Sequence, residues 1–555
     1  MSSSAERPQG TKSKDLYFVF ARAKCHPMTD ADHHEIATWK PRFNPWIIAL
    51  TVTLATFMEI LDTSIANVAL RHIAGGFSAS TDESTWVLTS YLVSNAIVLP
   101  MSGWLTTVIG RKRFYMTCVV MFTISSCLCG LAPTLPMLIF FRILQGAGGG
   151  GMGPSEQAIL ADTFPPEKRG QAFAVFGMAV VVAPAIGPTL GGWITDNYDW
   201  RWIFFINIPI GLLSLFLTSI VVEDPPWLRG SQGKRIKVDY IGLSLIVIGL
   251  GLLQIVLDKG QQEDWFGSTY ITVFFVLSMI ALLTLVFWEW WHPHPILELK
   301  LLRNRNFGAT VLFNFVLGAV LFGSTVLIPQ FVQSLMGYSA QQAGEVLSPA
   351  GFVLMLLFPL AGFLSSKVDP RYMIAFGFAI TSAGLYHLTH LSLEMGFYTL
   401  IFWRIYQMCG LAFIFIPISI LSYVGVPRNK SNQVSGISNF IRNLGGSVGI
   451  SMLTTFLARQ SQVHQTTLVA HATAANPQFN QMLHGSAASM AKSGSGPALA
   501  VQQAYNQIMG LIQQQAALLS YVNAFYVISI IVACLIPLPF LLKKPKPGEA
   551  PSGGH

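Results

Sequence analysis

The chain has 555 residues, of which 52% are hydrophobic and only 11% charged, and its mean hydropathy is +0.52. That composition excludes a soluble globular protein of this size and places the chain in a membrane. The formal net charge of +8 does not point to nucleic acid, because the basic residues lie in short clusters between apolar runs, as a topology signal does.

Apolar segments of spanning length occur at about 46–70, 84–106, 113–132, 135–160, 171–194, 202–222, 238–257 and 270–291. Six more follow at about 307–334, 342–365, 371–391, 397–425, 432–457 and 518–542, which predicts fourteen spans and both termini on one side. Of the 34 Lys and Arg, the loops opposite the termini hold only Arg71, Arg201, Lys259, Arg459 and Lys492, and Arg142, Arg404 and Arg442 fall inside spans. The excess on the other side puts both termini in the cytoplasm. Of the six cysteines, Cys25 lies in the polar N-terminus and the others in spans, so no structural disulfide is expected. Residues 1–45 read as a cytoplasmic tail without a signal-peptide pattern.

Span 1 carries two carboxylates, Glu59 and Asp62. Their i, i+3 spacing predicts that both project from one helix face. Ionised groups at such depth face a wet cavity or a cationic partner and carry protons or substrate, or else bond a neighbouring helix. If span 1 leaves the membrane near Leu70, Asp62 lies roughly 12 Å and Glu59 roughly 16 Å below the outer surface at about 1.5 Å per residue. Arg142 of span 4 lies roughly 10 Å below it, so an Asp62–Arg142 ion pair is expected where the two spans are neighbours. Arg442 of span 13 lies near the midplane, and Arg404 repeats the depth of Arg142 with no acidic residue at its level.

Between spans 2 and 3, Gly103-Trp-Leu-Thr-Thr-Val-Ile-Gly110-Arg111-Lys112-Arg113 sets three cations against a glycine turn. They serve orientation, or a latch that pairs with helix C-termini or with Asp162 in one state. Gly146-Ala-Gly-Gly-Gly-Gly151 matches G-x-G-x-x-G only formally, since no strand precedes it. It is expected to be a packing face. No G-x-x-x-x-G-K-[S/T] is present, which argues against direct ATP coupling, and His33-His34-Glu35 is not a metal-site spacing. No cofactor or metal is expected. In span 5, Ala183-Pro184-Ala-Ile-Gly187-Pro188-Thr-Leu-Gly191-Gly192 permits close helix contact and a bend, read as packing or as a pivot.

Phe141-Arg-Ile-Leu-Gln-Gly-Ala-Gly148 is echoed by Trp403-Arg-Ile-Tyr-Gln-Met-Cys-Gly410, and Gly103-Trp-Leu-Thr-Thr by Gly362-Phe-Leu-Ser-Ser. Both pairs share nearly one offset. They imply two related six-span halves, 46–222 and 307–542, with a linker 223–306 bearing two inserted spans, and a short C-terminal tail, 543–555. The external segment 458–517 reads as a solvated linker or a docking element, and Val501 to Gln515 as an extension of the last helix.

Taken in order, these motifs resemble the major facilitator superfamily, in its fourteen-span drug:proton antiporter branch of the EmrB/QacA type. The resemblance covers nearly all of the chain after Trp46. It rests on Leu61-Asp62-Thr-Ser-Ile-Ala-Asn67-Val-Ala-Leu70 in span 1 and the loop motif from Gly103 to Arg113. To these it adds Arg142-Ile-Leu-Gln145-Gly146 in span 4, Gly187-Pro188-Thr-Leu-Gly191-Gly192 in span 5 and the run Trp202-Ile-Phe-Phe-Ile-Asn207-Ile-Pro209-Ile-Gly211. The expected fold is an all-α polytopic membrane protein of the major facilitator type, with 6+2+6 helices. The expected function, not an enzyme's, is proton-driven efflux of hydrophobic, often cationic compounds across a bacterial inner membrane. Asp62, Glu59 and Arg142 are expected in proton coupling, and Glu59, Asn67, Gln145 and Arg442 at the substrate. The resemblance implies a periplasmic membrane-fusion adaptor and an outer-membrane channel as partners. Thr107 stands where the loop motif usually has an acid, and Ala183 where many antiporters have Gly. Export of an endogenous anion such as a fatty acid or siderophore, which Arg442 would suit, and a sensor or scaffold that moves nothing are the alternative functions.

Overall fold

A computed structural model of the chain describes residues 41–229, 238–293, 295–494 and 496–542. Cys25 and His33-His34-Glu35 lie outside them. Long helices stand at each of the fourteen predicted spans. The first six are α1 (Pro45–Phe77), α2 (Thr81–Ile109), α3 (Arg111–Gly130), α4 (Leu135–Thr163), α5 (Arg169–Asn197) and α6 (Trp202–Val221). The inserted pair is α7 (Tyr240–Lys259) and α8 (Thr269–Trp291). The last six are α9 (Arg305–Ser334), α10 (Ala340–Leu364), α11 (Pro370–His387), α12 (Phe397–Leu421), α13 (Ser431–His471) and α14 (Pro497–Cys534). Among the described residues, 11 helices are long and apolar enough to cross a membrane. The glycine-rich α4, the short α11 and the polar-ended α13 are the others, and they are held by packing against those neighbours.

Helix starts follow from short polar side chains that satisfy free backbone N–H groups. Asn44 accepts from the Trp46 amide at 3.0 Å. Ser80 and Glu83 close a capping box on α2, and Ser339 and Gln342 close one on α10. The Glu83 carboxyl, bonded by the Ser80 backbone and hydroxyl, is held below the usual carboxylate range.

The internal repeat is visible in the packing. In the first half α1 packs on α5, α2 on α4, and α3 on α4 and α6; in the second, α9 packs on α13, α10 on α12, and α11 on α12 and α14. The halves meet along α2 with α13 and α5 with α10, an exchange of equivalent helices. The α7–α8 hairpin lies against α2, and Trp265 beyond α7 donates to Thr455 of α13 at 3.0 Å, so the insertion touches both halves.

Three expectations change in detail. The segment from Gly103 to Ile109 is helix, so the loop of the basic motif shrinks to Gly110, whose φ of 94° suits glycine. Residues 458–517 are largely folded: α13 continues to His471, a helix spans Pro477–Lys492, and α14 begins at Pro497. Leu483 packs there with Ala504 and Ile508 in a small apolar core of their own. The glycines of α4 do form a packing face, and on opposite sides. A Cβ on Gly146 would stand 2.2 Å from Ser94 Oγ of α2, and one on Gly151 2.4 Å from Cys118 Sγ of α3.

Candidate functional site

Asp62 is 2% exposed and faces α4 and α6. Its Oδ2 accepts from Arg142 Nη1 at 2.7 Å. Its Oδ1 accepts from Gln145 Nε2 at 3.0 Å and from Asn207 Nδ2 at 2.6 Å. Asn207 also donates to Ser126 at 3.0 Å. All three partners of Asp62 donate, so both of its oxygens act as acceptors. Arg142, with 0% exposure, also reaches the Gln145 Oε1 at 2.8 Å and the Val87 carbonyl at 3.1 Å. The expected depth match between Asp62 and Arg142 is therefore a contact.

Glu59 turns the other way. Its Oε1 accepts from the Tyr91 hydroxyl at 2.9 Å and from Asn95 Nδ2 at 3.2 Å. It lines a cavity of about 210 Å³ between the halves. Three residues along a helix leave about 60° between side chains, enough to put Glu59 on the cavity and Asp62 behind it. The single shared face read from their spacing is corrected to two. Tyr91 links them: its ring lies 4.3 Å from the Arg142 guanidinium while its hydroxyl holds Glu59.

Across the cavity stands Arg442, on α13 of the second half. It donates to Asn439 and lies over the Phe415 ring at 5.2 Å, and among the described residues its Nε has no partner. The inserted helix α7 supplies Leu250, Leu253 and Gln254 to the same wall, a role the sequence does not signal. Of the four expected substrate residues, Glu59 and Arg442 line the cavity. Gln145 is withdrawn into the Asp62 network, and Asn67 is exposed beyond it. Tyr91, Asn95 and Glu156 also went unassigned in the sequence, since a lone polar group in an apolar span does not disclose its partner. Asn207 lay within a quoted motif without a role.

At the inner side, named from the cation bias, Arg111 donates to Asp162 at 2.7 Å, and Ser431 at the start of α13 donates to the same carboxylate at 3.0 Å. Lys112 instead reaches the Ser219 carbonyl at 2.7 Å. Arg113 follows in the first turn of α3. Asn439 Nδ2 reaches Gln157 at 2.8 Å, and Phe173 stacks on Tyr423 at 5.6 Å, so the two halves are joined at this end. In α5, Pro184 and Pro188 lie within the helix. A Cβ on Gly187 would meet Ser64 Oγ at 2.3 Å and one on Gly191 would meet Ile65, both on α1, whereas Gly192 faces open space. The other side of α5 meets α10, where Ser348 donates to the Ala185 carbonyl at 2.8 Å. This motif thus joins the Asp62 helix to the opposite half.

In the second half the arginine network recurs without its acid. Arg404 Nη1 donates to Gln407 at 2.6 Å and to Ser324 at 2.8 Å, and Gln407 Nε2 approaches the same serine at 3.4 Å. Ser324 lies 80 residues before Arg404, as Asp62 does before Arg142. Serine occupies the position of the carboxylate.

Residues 52–450 match the family model described as Major Facilitator Superfamily. The probable multidrug resistance protein EmrY of Escherichia coli K12 is 38% identical over 503 residues, covering 90% of this chain and 96% of that protein. The multidrug export protein EmrB of the same strain is 35% identical, covering 92% and 97%. The fatty acid resistance protein FarB of Neisseria gonorrhoeae is also 35% identical, with the same shares covered. Among solved structures, the proton:xylose symporter XylE bound to 6-bromo-6-deoxy-D-glucose superposes with a TM-score of 0.56 at 17% identity, covering 90% of this chain and 96% of that one, a likeness of fold. Matched over most of its length in sequence and in helix arrangement, the chain belongs to the major facilitator superfamily of multi-pass membrane transporters, in the branch of EmrB and EmrY.

Proposed function

We propose that the chain exports hydrophobic, often cationic compounds in exchange for protons, from a bacterial inner membrane with both termini in the cytoplasm. The observation that carries this reading is Glu59 on a cavity between the two halves, joined through Tyr91 to the buried Asp62–Arg142 pair. A cation entering the cavity gains from a carboxylate there, and a proton on that carboxyl removes the gain, so the two compete. Asp62 senses the exchange through Tyr91 and Arg142, which lie in α2 and α4 and move with the first half. Apolar residues line most of the cavity, which favours broad recognition over a single ligand. The names of EmrY and EmrB agree with drug export.

The helical projection formed by α13, the helix Pro477–Lys492 and α14 is suited to docking a periplasmic membrane-fusion adaptor, itself joined to an outer-membrane channel. Purified protein in proteoliposomes tests the reading. Addition of a lipophilic cation against an imposed proton gradient is expected to release protons, and release that Asp62→Asn leaves unchanged in a folded protein rejects the assignment.

A second reading, export of an amphipathic anion, is favoured by Arg442, which faces the cavity with its Nε unpartnered among the described residues, and by the name of FarB. Competition settles between them: anionic amphiphiles displacing a bound probe better than cationic ones of equal size select the second.

A further inference from the structure

Glu156, on the inner third of α4, is a carboxyl that the scheme above leaves unused. It is 0% exposed. Its Oε1 accepts from the Thr53 hydroxyl at 2.6 Å, and among the described residues its Oε2 has no partner. Among the described residues, the groups that face it are Thr53, Thr56 and Glu59 from α1 and Tyr115 from α3, with no cation among them. Tyr115 is committed elsewhere, donating to the Val52 carbonyl at 2.8 Å. The contrast with Asp62, which has an arginine and two amides, is complete. An ionised carboxylate costs several kcal/mol in such a place, whereas the neutral acid is readily accommodated.

Its position gives that neutral acid a use. Thr53, Thr56 and Glu59 follow one another in steps of three along α1, so each lies beside the next, over a rise of roughly 9 Å. Thr56 lines the cavity with Glu59 and faces the Glu156 carboxyl, and among the described residues its Oγ1 has no hydrogen-bond partner. Immediately inward, Gln157 accepts from Asn439 at 2.8 Å and lies 3.5 Å from Ser419, which joins α4 to both α13 and α12.

We propose that Glu156 is a second proton-carrying carboxyl, which receives its proton from Glu59 through the Thr56 hydroxyl and releases it inward when the Gln157 contacts part. In the transfer, Glu59 gives its acidic proton to Thr56 Oγ1 while Thr56 gives its own hydroxyl proton to the Glu156 carboxylate. One proton moves, Thr56 is unchanged, and Glu59 is left as the carboxylate that meets the next cation. This inference rests on the proton-exchange reading.

The test uses the full chain in proteoliposomes with tetraphenylphosphonium and ethidium as probes, reading the rate of proton-coupled uptake. Glu156→Gln is expected to slow that uptake about tenfold while leaving probe binding within about twofold, and Glu156→Asp to restore it. A folded Glu156→Gln protein with the wild-type uptake rate and pH profile overturns the proposal, as does a variant pair that changes melting temperature alone. If Glu156→Gln does not fold, Thr56→Val keeps the carboxyl in place and is expected to slow coupled uptake about tenfold; an unchanged rate overturns the relay. A wild-type protein that moves neither probe against protons rejects the exchange reading, and this inference with it.

Discussion

Glu59 and Arg442 face one cavity from opposite halves of the molecule, each held by neutral neighbours: Glu59 by Tyr91 and Asn95, Arg442 by Asn439. No direct salt bridge joins them among the described residues, so each is available to a ligand of opposite charge. Glu59→Gln is expected to weaken binding of a lipophilic cation by about tenfold or more, with little effect on a neutral analogue, since a partly desolvated charge pair contributes about 1.5–3 kcal/mol. Arg442→Gln is expected to spare the cation. Fluorescence titration of both variants with matched charged and neutral probes checks the split, and equal losses for both probes refute it.

Tyr91 performs two tasks with two parts of one side chain. Tyr91→Phe keeps the ring over Arg142 and removes the bond to Glu59, so stability is expected to hold within about 1 kcal/mol while coupled transport falls. Tyr91→Ala removes both, and is expected to cost about 3–5 kcal/mol as a large buried side chain is lost. Thermal unfolding in detergent paired with transport rates distinguishes the two; a Phe variant with wild-type transport rules out the hydroxyl's role.

Asp162 accepts from Arg111 and, from the other half, from Ser431, a contact suited to holding one end of a pathway shut. Asp162→Asn leaves a buried arginine without its charge partner, a loss of about 3–5 kcal/mol in the closed state. The population is expected to move toward the inward-open form, and cysteine labelling at inner positions lining α13 is expected to speed up. Unaltered labelling would show that other contacts hold this end shut.

Ser324 stands where the repeat has a carboxylate in the first half. Ser324→Asp places that acid beside Arg404 and Gln407, with donors already aimed at its oxygens. The variant is expected to insert and fold, with a raised melting temperature at neutral pH. A folded protein of lower stability would mean that the site lacks room for the larger side chain.

The capping box of Glu83 lies at the N-terminal end of α2 and gives a pH-dependent contribution of known sign. Its carboxyl is held below its ordinary range by Ser80, so the stabilisation is present above the unfolded value and is lost as pH falls through the folded one. Glu83→Gln is expected to flatten that acid limb of the unfolding profile; an unchanged limb removes Glu83 from the account.

The sequence by itself determined the fourteen helices, the family, the repeat of Arg142 and Arg404, and the depth that Asp62 shares with Arg142. These depend on hydropathy and on distance along a helix, which one chain records directly. Only the tertiary structure decided that Gln145 turns from the cavity to Asp62, that Asn67 stays outside it, and that Tyr91 holds Glu59 by its hydroxyl and Arg142 by its ring. It alone set Glu156 against Thr53 and brought α7 into the cavity wall. Those outcomes depend on how each helix is rotated against neighbours distant in sequence, a rotation fixed by glycine contacts such as Gly146 on Ser94 and Gly187 on Ser64. In a chain apolar on nearly every face, the pattern of side chains along a span does not record that rotation.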